Sequence, residues 1–258
     1  MKTLAVEIQK GGEGKTFVVC NLAFDAYERG LRTVVIDLDT QANASLTLSA
    51  YRSGYTAWRI FGGKANSARK WFAEHEHDGL ALIEADNDLV NLEKMRFPEA
   101  ARKLGEVIQS LGEFFDLCLI DTPPFFGVAM TAAALAADYV VSPVRLEPYS
   151  IQGMQRMVTV IANLRQIKHV RWLGMIPNMV RLGTPRHDAH MDELKAAFPQ
   201  HVLPVSIGWR DSIAEGLGNH LPVWEVRNEA GKRKSAARTA SKEVRALADH
   251  IFKAMELT

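Results

Sequence analysis

Residues 4–16, LAVEIQKGGEGKT, constrain this chain more than any other stretch. An apolar run from Leu4 to Ile8 breaks into Gly11, Gly12 and Gly14, and Lys15-Thr16 then open a segment of helical periodicity. The pattern predicts a strand, a phosphate loop and a helix. Glycines let successive backbone N–H groups turn toward an anion, a lysine reaches the β- and γ-phosphates, and the neighbouring hydroxyl holds Mg²⁺. The stretch therefore reads as a nucleoside triphosphate site. Its unusual member is Lys10, five residues before Lys15, because holding one nucleotide does not require a second lysine.

The rest of the chain alternates strands and helices. Apolar residues at Val18, Val19, Leu22, Ala23 and Ala26 predict a helix that stops at Gly30. Thr33 to Ile36 reads as a buried parallel strand that delivers Asp37 and Asp39 at its carboxyl end. Leu46 to Phe61 reads as mostly helical. Further on, a strand is expected at Ala81–Ile83 and a helix from about Asn91 to Leu111. Phe114–Ile120 reads as a second buried strand ending in Asp121-Thr122-Pro123-Pro124, where proline forces a turn after the aspartate. Strands at Tyr139–Val144 and Arg171–Ile176 alternate with helices at Gly127–Ala137, Ser150–Leu164 and Asp188–Phe198. A last strand is read at Val202–Ile207, with Pro204 marking an edge or bulge. These units predict an α/β fold: one doubly wound, mostly parallel sheet with helices on both faces and ligands at the strands' carboxyl ends. The whole of 1–258 is expected to form a single domain.

Composition sets bounds on function. The formal net charge is only +1, so affinity for nucleic acid must come from local clustering. The cluster is at Arg227–Lys242, which holds Arg227, Lys232, Arg233, Lys234, Arg238 and Lys242 against the single acid Glu229 and reads as a mobile basic segment. Cys20 and Cys118 lie in apolar surroundings, as reduced buried thiols do, so a cytoplasmic protein is expected. Met1-Lys2-Thr3 runs directly into the first strand and leaves no room for a signal peptide. His187 and His190 lack a third ligand and read as surface residues. Val244, Leu247, Ala248, Ile251, Phe252 and Met255 form a helical stripe at about 242–256. That stripe is expected to pack on the sheet; the alternative, a membrane-surface helix, is disfavoured because its polar face mixes Glu243 and Asp249 with Arg245 and Lys253, so no membrane partner is expected.

The KGG-x-GKT loop, the IDLDTQANAS segment, LIDTPP, the spacing Pro143-Glu147-Ser150-Gly153, Pro177-Asn178 and the LPV…WRDS…LPV stretch at 203–223 together resemble the ParA/MinD superfamily of deviant Walker A ATPases. Within it they resemble the plasmid-partition ParA proteins of the IncC type, whose basic ending residues 236–249 nearly repeat. The resemblance implies an ATP-dependent sandwich dimer in which Lys10 crosses to the partner's γ-phosphate. It implies nucleotide contacts from Gly11, Gly12, Glu13, Gly14, Lys15, Thr16 and Phe17, with Asn178 and Pro204 toward the base. Asn178 has a second reading, as a turn residue after Pro177. Mg²⁺ would be held by Thr16, Asp37 and Asp121, and Asp39 would orient the attacking water. DNA would be bound without sequence preference by Arg210, Lys232, Arg233, Lys234 and Arg238 in a nucleoid-associated protein. A ParB-type centromere-binding partner would stimulate a weak ATPase. Glu13 departs from the family pattern, which has a small apolar residue there; an acid beside an anionic ligand is expected to slow or weaken nucleotide binding, with the side chain pointing away while its amide serves.

Two other classes fit parts of the sequence. A MinD-like positioning ATPase would use the terminal helix on a membrane. A metabolic ligase sharing the phosphate loop would have no use for Lys10 in a second subunit or for the basic segment.

Overall fold

The computed structural model describes residues 1–257 except 65, 148–149, 182, 229 and 233, and the side chains of 150 and 151. Seven parallel strands form one sheet in the order β3-β4-β2-β5-β1-β6-β7. In chain order they are β1 (Lys2–Val6), β2 (Thr33–Asp37), β3 (Arg52–Thr56), β4 (Leu80–Glu84), β5 (Leu117–Asp121), β6 (Tyr139–Arg145) and β7 (Arg171–Asn178). The interior strands are near-continuous apolar runs because both of their faces are buried. Leu4, Val6, Val35, Leu82, Leu119 and Val141 join one hydrophobic cluster, and Ala5, Val34, Ile36, Ile83, Ile120 and Val140 join the other. Cys20 and Cys118 fall in opposite clusters, which keeps the two thiols apart.

Helices cover both faces. Helix α1 (Lys15–Glu28) lies on the first, while the short helices α2 (Asn43–Thr47), α3 (Trp58–Gly62) and α4 (Ser67–Glu74) surround the β3 edge. Helices α5 (Phe97–Leu111), α6 (Val128–Ala136) and α7 (Ser150–Arg165) pack on the second face, followed in the chain by α8 (Pro185–Ala197) and α9 (Asp211–Gly218). The last helix, α10 (Ser235–Ala254), returns to the first face, where Val244, Leu247, Ala248, Ile251 and Phe252 are buried. Its polar rim is tied to α1. Arg245 reaches Asp25 at 2.8 Å and Glu28 at 2.5 Å, and Arg29 reaches Asp249 at 2.7 Å.

Four segments differ from the sequence expectation. Residues 46–61 are not one helical stretch: short helical pieces flank the edge strand β3, whose Gly54 takes φ 74°. The helix expected from Asn91 is two elements, a 3-10 stretch at Asn87–Lys94 and α5, which restarts with Pro98 in its first turn, where a missing N–H costs nothing. Val202–Ile207 does not form a strand: it meets β7 at an isolated bridge, Met175 to Val202, and through the Leu203 and Ile207 N–H groups, which donate to the Met175 and Pro177 carbonyls, with a second bridge just beyond at Val180 to Gly208. The basic segment is half ordered helix, since α10 begins at Ser235.

Candidate functional site

β1 lies between β5 and β6, where the winding of the chain reverses, and its carboxyl end leads into the loop 9–14 and then α1. An open α/β sheet leaves its crevice at such a point. Gly14 shows why the loop must be glycine there. It has φ 95°, and an added Cβ would lie 2.1 Å from Asn178 Nδ2. Asn178, at the end of β7, donates from that nitrogen to the Glu13 carbonyl at 2.6 Å. The loop is therefore tied to β7 by a buried side chain, which gives Asn178 a fastening role beside any contact with a base.

A cavity of about 540 Å³ opens over the loop, within the range of small-molecule sites. Gly11, Gly12, Gly14, Lys15, Thr16, Phe17, Asp39 and Asn178 line it. Its far wall is Gly208, Trp209 and Arg210 with α9, which contributes Ile213, Ala214 and Leu217. The sequence reading gives Arg210 of this wall to DNA and assigns α9 no role, although Ile213 and Leu217 stand four apart and mark a short apolar helix face. Pro204 is exposed and does not line the cavity. With no ladder at 202–207, the chain reaches the cavity only from Gly208 onward.

Lys15 is 7% exposed, and its ammonium lies 3.5 Å from the Ile8 carbonyl and 3.4 Å from that of Lys10. Burial lowers its pKa, against the pull of Asp121, Asp39 and Glu13. A desolvated cation of this kind is poised for an anion. The Thr16 hydroxyl donates to Asp121 Oδ2 at 2.7 Å, across the gap between α1 and β5. Asp121 is wholly buried, and its other oxygen, Oδ1, has no hydrogen-bond partner among the described residues. Burial, reinforced by neighbouring Asp37, pushes the Asp121 carboxyl up to about 8. A carboxylate with one open oxygen beside a threonine hydroxyl fits Mg²⁺. Among the described residues no group of three or more His, Cys, Asp or Glu could hold a metal by itself. Mg²⁺ does not need one, because it usually keeps waters and substrate oxygens and takes one or two protein ligands.

Asp37 is occupied differently from the ligand role expected of it. Its Oδ1 accepts the Asp39 N–H at 3.0 Å, and its Oδ2 accepts both the Ser45 N–H at 2.8 Å and the Ser45 hydroxyl at 2.7 Å. Burial raises its pKa to about 6 although these bonds oppose the rise. These bonds shape the turn 38–45, so Asp37 positions Asp39; Oδ2 is filled by Ser45, and Oδ1, with a single donor, is the oxygen left to face a cation. Asp39 faces the cavity, and its Oδ1 accepts the Gln41 N–H at 3.0 Å.

Lys10 lies apart from this group. Its side chain is half exposed and does not line the cavity; it pairs with Glu13 at 2.8 Å and Glu147 at 2.6 Å. Desolvation acts against it, yet the bonds to Glu13 and Glu147 hold its pKa above the ordinary lysine value. The expected DNA contacts are dispersed. Arg210 makes a two-pronged pair with Glu243, its side chain only 14% exposed, so a phosphate would have to displace that carboxylate to reach it. Lys234 pairs with Glu215 at 2.6 Å. Lys232 and Arg238 are exposed, and Arg233 lies outside the described residues.

The family described as "AAA domain" matches residues 1–171. Protein IncC of Escherichia coli is 57% identical over 258 residues, covering all of this chain and 70% of that protein. Among solved structures, a putative plasmid partition protein of Borrelia burgdorferi B31, bound to AMPPNP, superposes with a TM-score of 0.74 at 19% identity, covering 98% of each chain. The cell division ATPase MinD of Pyrococcus furiosus superposes with a TM-score of 0.72 at 24% identity, again covering 98% of each. The family match over residues 1–171 and the 57% identity to IncC along the whole of this chain place it in one family: it belongs to the ParA/MinD superfamily, on its plasmid-partition side.

Proposed function

We propose that this chain is a partition ATPase that joins two copies of itself around ATP, binds DNA without sequence preference in that state, and releases it on hydrolysis. The observation that carries the reading is the separation of the two loop lysines: Lys15 is buried at the floor of the cavity, while Lys10 stands outside it on a half-exposed side chain. A lysine excluded from its own phosphate site is placed to serve another.

Phosphoryl transfer to water depends on positioning and charge neutralisation. Lys15 and the N–H groups of Gly12 to Thr16 would offset phosphate charge. Thr16 and Asp121 would hold Mg²⁺, which supplies further neutralisation of the phosphate oxygens when bound. Asp39, fixed by the Asp37 and Gln41 bonds, would orient a water and accept its proton. The apolar side of α9 would cover the base. Slow turnover by this set leaves room for stimulation by a ParB-type centromere-binding protein.

Sedimentation and DNA retention of wild type, Lys10→Gln and Asp39→Ala, each with ATP, ADP or no nucleotide, test the proposal. ATP should drive association and DNA retention in Asp39→Ala, where the bound state persists, and neither in Lys10→Gln. Identical association and DNA binding under all three nucleotide conditions would refute it.

A further inference from the structure

Glu13 occupies a position where a phosphate loop has little use for an acid, yet it is almost wholly buried, with a side chain 2% exposed. Gly12 and Gly14 on either side of it line the cavity, and Glu13 does not. Its carboxylate is turned toward β6 instead. Oε2 accepts the Arg145 N–H at 2.5 Å, and Oε1, which has no hydrogen-bond donor among the described residues, forms an ion pair with the Lys10 ammonium at 2.8 Å. On its other side Lys10 reaches Glu147 Oε2 at 2.6 Å, and Glu147 is itself braced by Arg145 Nη2 at 2.7 Å. The lysine that does not serve its own loop is thus held between two carboxylates of its own chain.

We infer that Glu13 is a positioning residue for Lys10: it holds the ammonium on its own subunit, so that the γ-phosphate in a second copy must compete for it. The inference rests on the partition reading above. If Lys10 leaves, Glu13 stays buried with the Arg145 N–H as its donor and no counter-ion in contact among the described residues, and an unpaired buried carboxylate is costly. The half-exposed Lys10 end is screened by water, so the hold is moderate. A triphosphate offers an anion that can outbid the carboxylate. A diphosphate lacks that terminal group, so the same pairing sharpens the distinction between the two nucleotides.

Glutamine separates the roles of Glu13, since its amide oxygen still accepts the Arg145 N–H while the negative charge is gone. The experiment is sedimentation of wild type, Glu13→Gln, Lys10→Gln and the double variant, titrated with AMPPNP or ADP, with thermal melts to confirm folding. Glu13→Gln should associate at roughly fivefold lower AMPPNP, as expected for a partly screened pair, and should show association with ADP at concentrations where wild type shows none. The double variant should stay as unassociated as Lys10→Gln. An unchanged midpoint in Glu13→Gln overturns the inference while leaving the partition reading intact. Recovery of association in the double variant also overturns it, because the effect would then not pass through Lys10. If neither wild type nor Glu13→Gln associates with any nucleotide, both the inference and the partition reading fall.

Discussion

A single buried carboxyl shows how closely the root of the phosphate loop is tuned. Glu7 follows β1, is 0% exposed, and has neither oxygen hydrogen-bonded among the described residues. Burial holds its pKa well above the ordinary value, with Lys15 pulling weakly the other way. The folded state therefore keeps a proton that the unfolded chain releases near pH 4.3. Its contribution to stability is complete below that pH and is lost as pH rises toward the folded value. Glu7→Gln removes the titration, so the variant should gain on wild type as pH rises above the unfolded value, by up to about 1.4 kcal/mol per pH unit while the difference lasts. Urea unfolding at three pH values measures this, and a stability difference that does not vary with pH would contradict it. Gly14 carries a second residue-scale prediction. Gly14→Ala must accommodate a Cβ 2.1 Å from Asn178 Nδ2 at a φ of 95°, so nucleotide affinity should fall steeply. In Gly14→Ala with Asn178→Ala the collision is gone but the strain remains, so calorimetry should find only partial recovery of binding.

At the scale of elements, α10 decides between the two readings of the terminal stripe. Phe252 is 0% exposed and Arg245 clips the helix to Asp25 and Glu28 of α1, so the apolar face is spent inside the fold, against α1, α9 and the turn at Val223–Glu225. Phe252→Ala should cost about 3–5 kcal/mol in unfolding free energy. Vesicles rich in anionic lipid should not co-sediment wild type with or without ATP, and ATP-dependent retention on them would revive the membrane reading. The elements that could be read in the sequence share a property with α10: burial on a regular face imprints a pattern. β2 and β5 are unbroken apolar runs closed by Asp37 and Asp121, so both strand and site residue were visible together. β3 was not visible, because an edge strand of Arg52, Ser53, Gly54, Tyr55 and Thr56 buries only Tyr55. Residues 202–207 erred the other way: their apolar content comes from packing of Leu203 and Ile207, while Pro204 has no N–H to give a ladder. Asp37 shows the limit for site residues. Its place at a strand end was legible, but its bonds to Ser45, eight residues on, depend on how the loop folds back.

For the whole molecule, the question is how a chain of net charge +1 could hold DNA. Several of its cations are neutralised within the fold: Arg210 by Glu243, Lys234 by Glu215, and Arg245 by Asp25 and Glu28. Lys232 and Arg238 remain exposed, flanking the start of α10. Two phosphate contacts would make a weak complex, and the proposed pair of copies would double them. Association and DNA retention should therefore rise together, and the complex should weaken with salt at a log–log slope of about −3 to −4 if four phosphates are engaged. Replacing both Lys232 and Arg238 by alanine should leave ATP-driven association in place while flattening that slope and abolishing retention, equally on any duplex sequence. Arg210→Ala separates a contact role from a structural one. It strands Glu243, so if Arg210 serves the fold, lost retention will come with a lower melting temperature. Lost retention at an unchanged melting temperature would instead make Arg210 a phosphate contact that leaves Glu243 when DNA arrives.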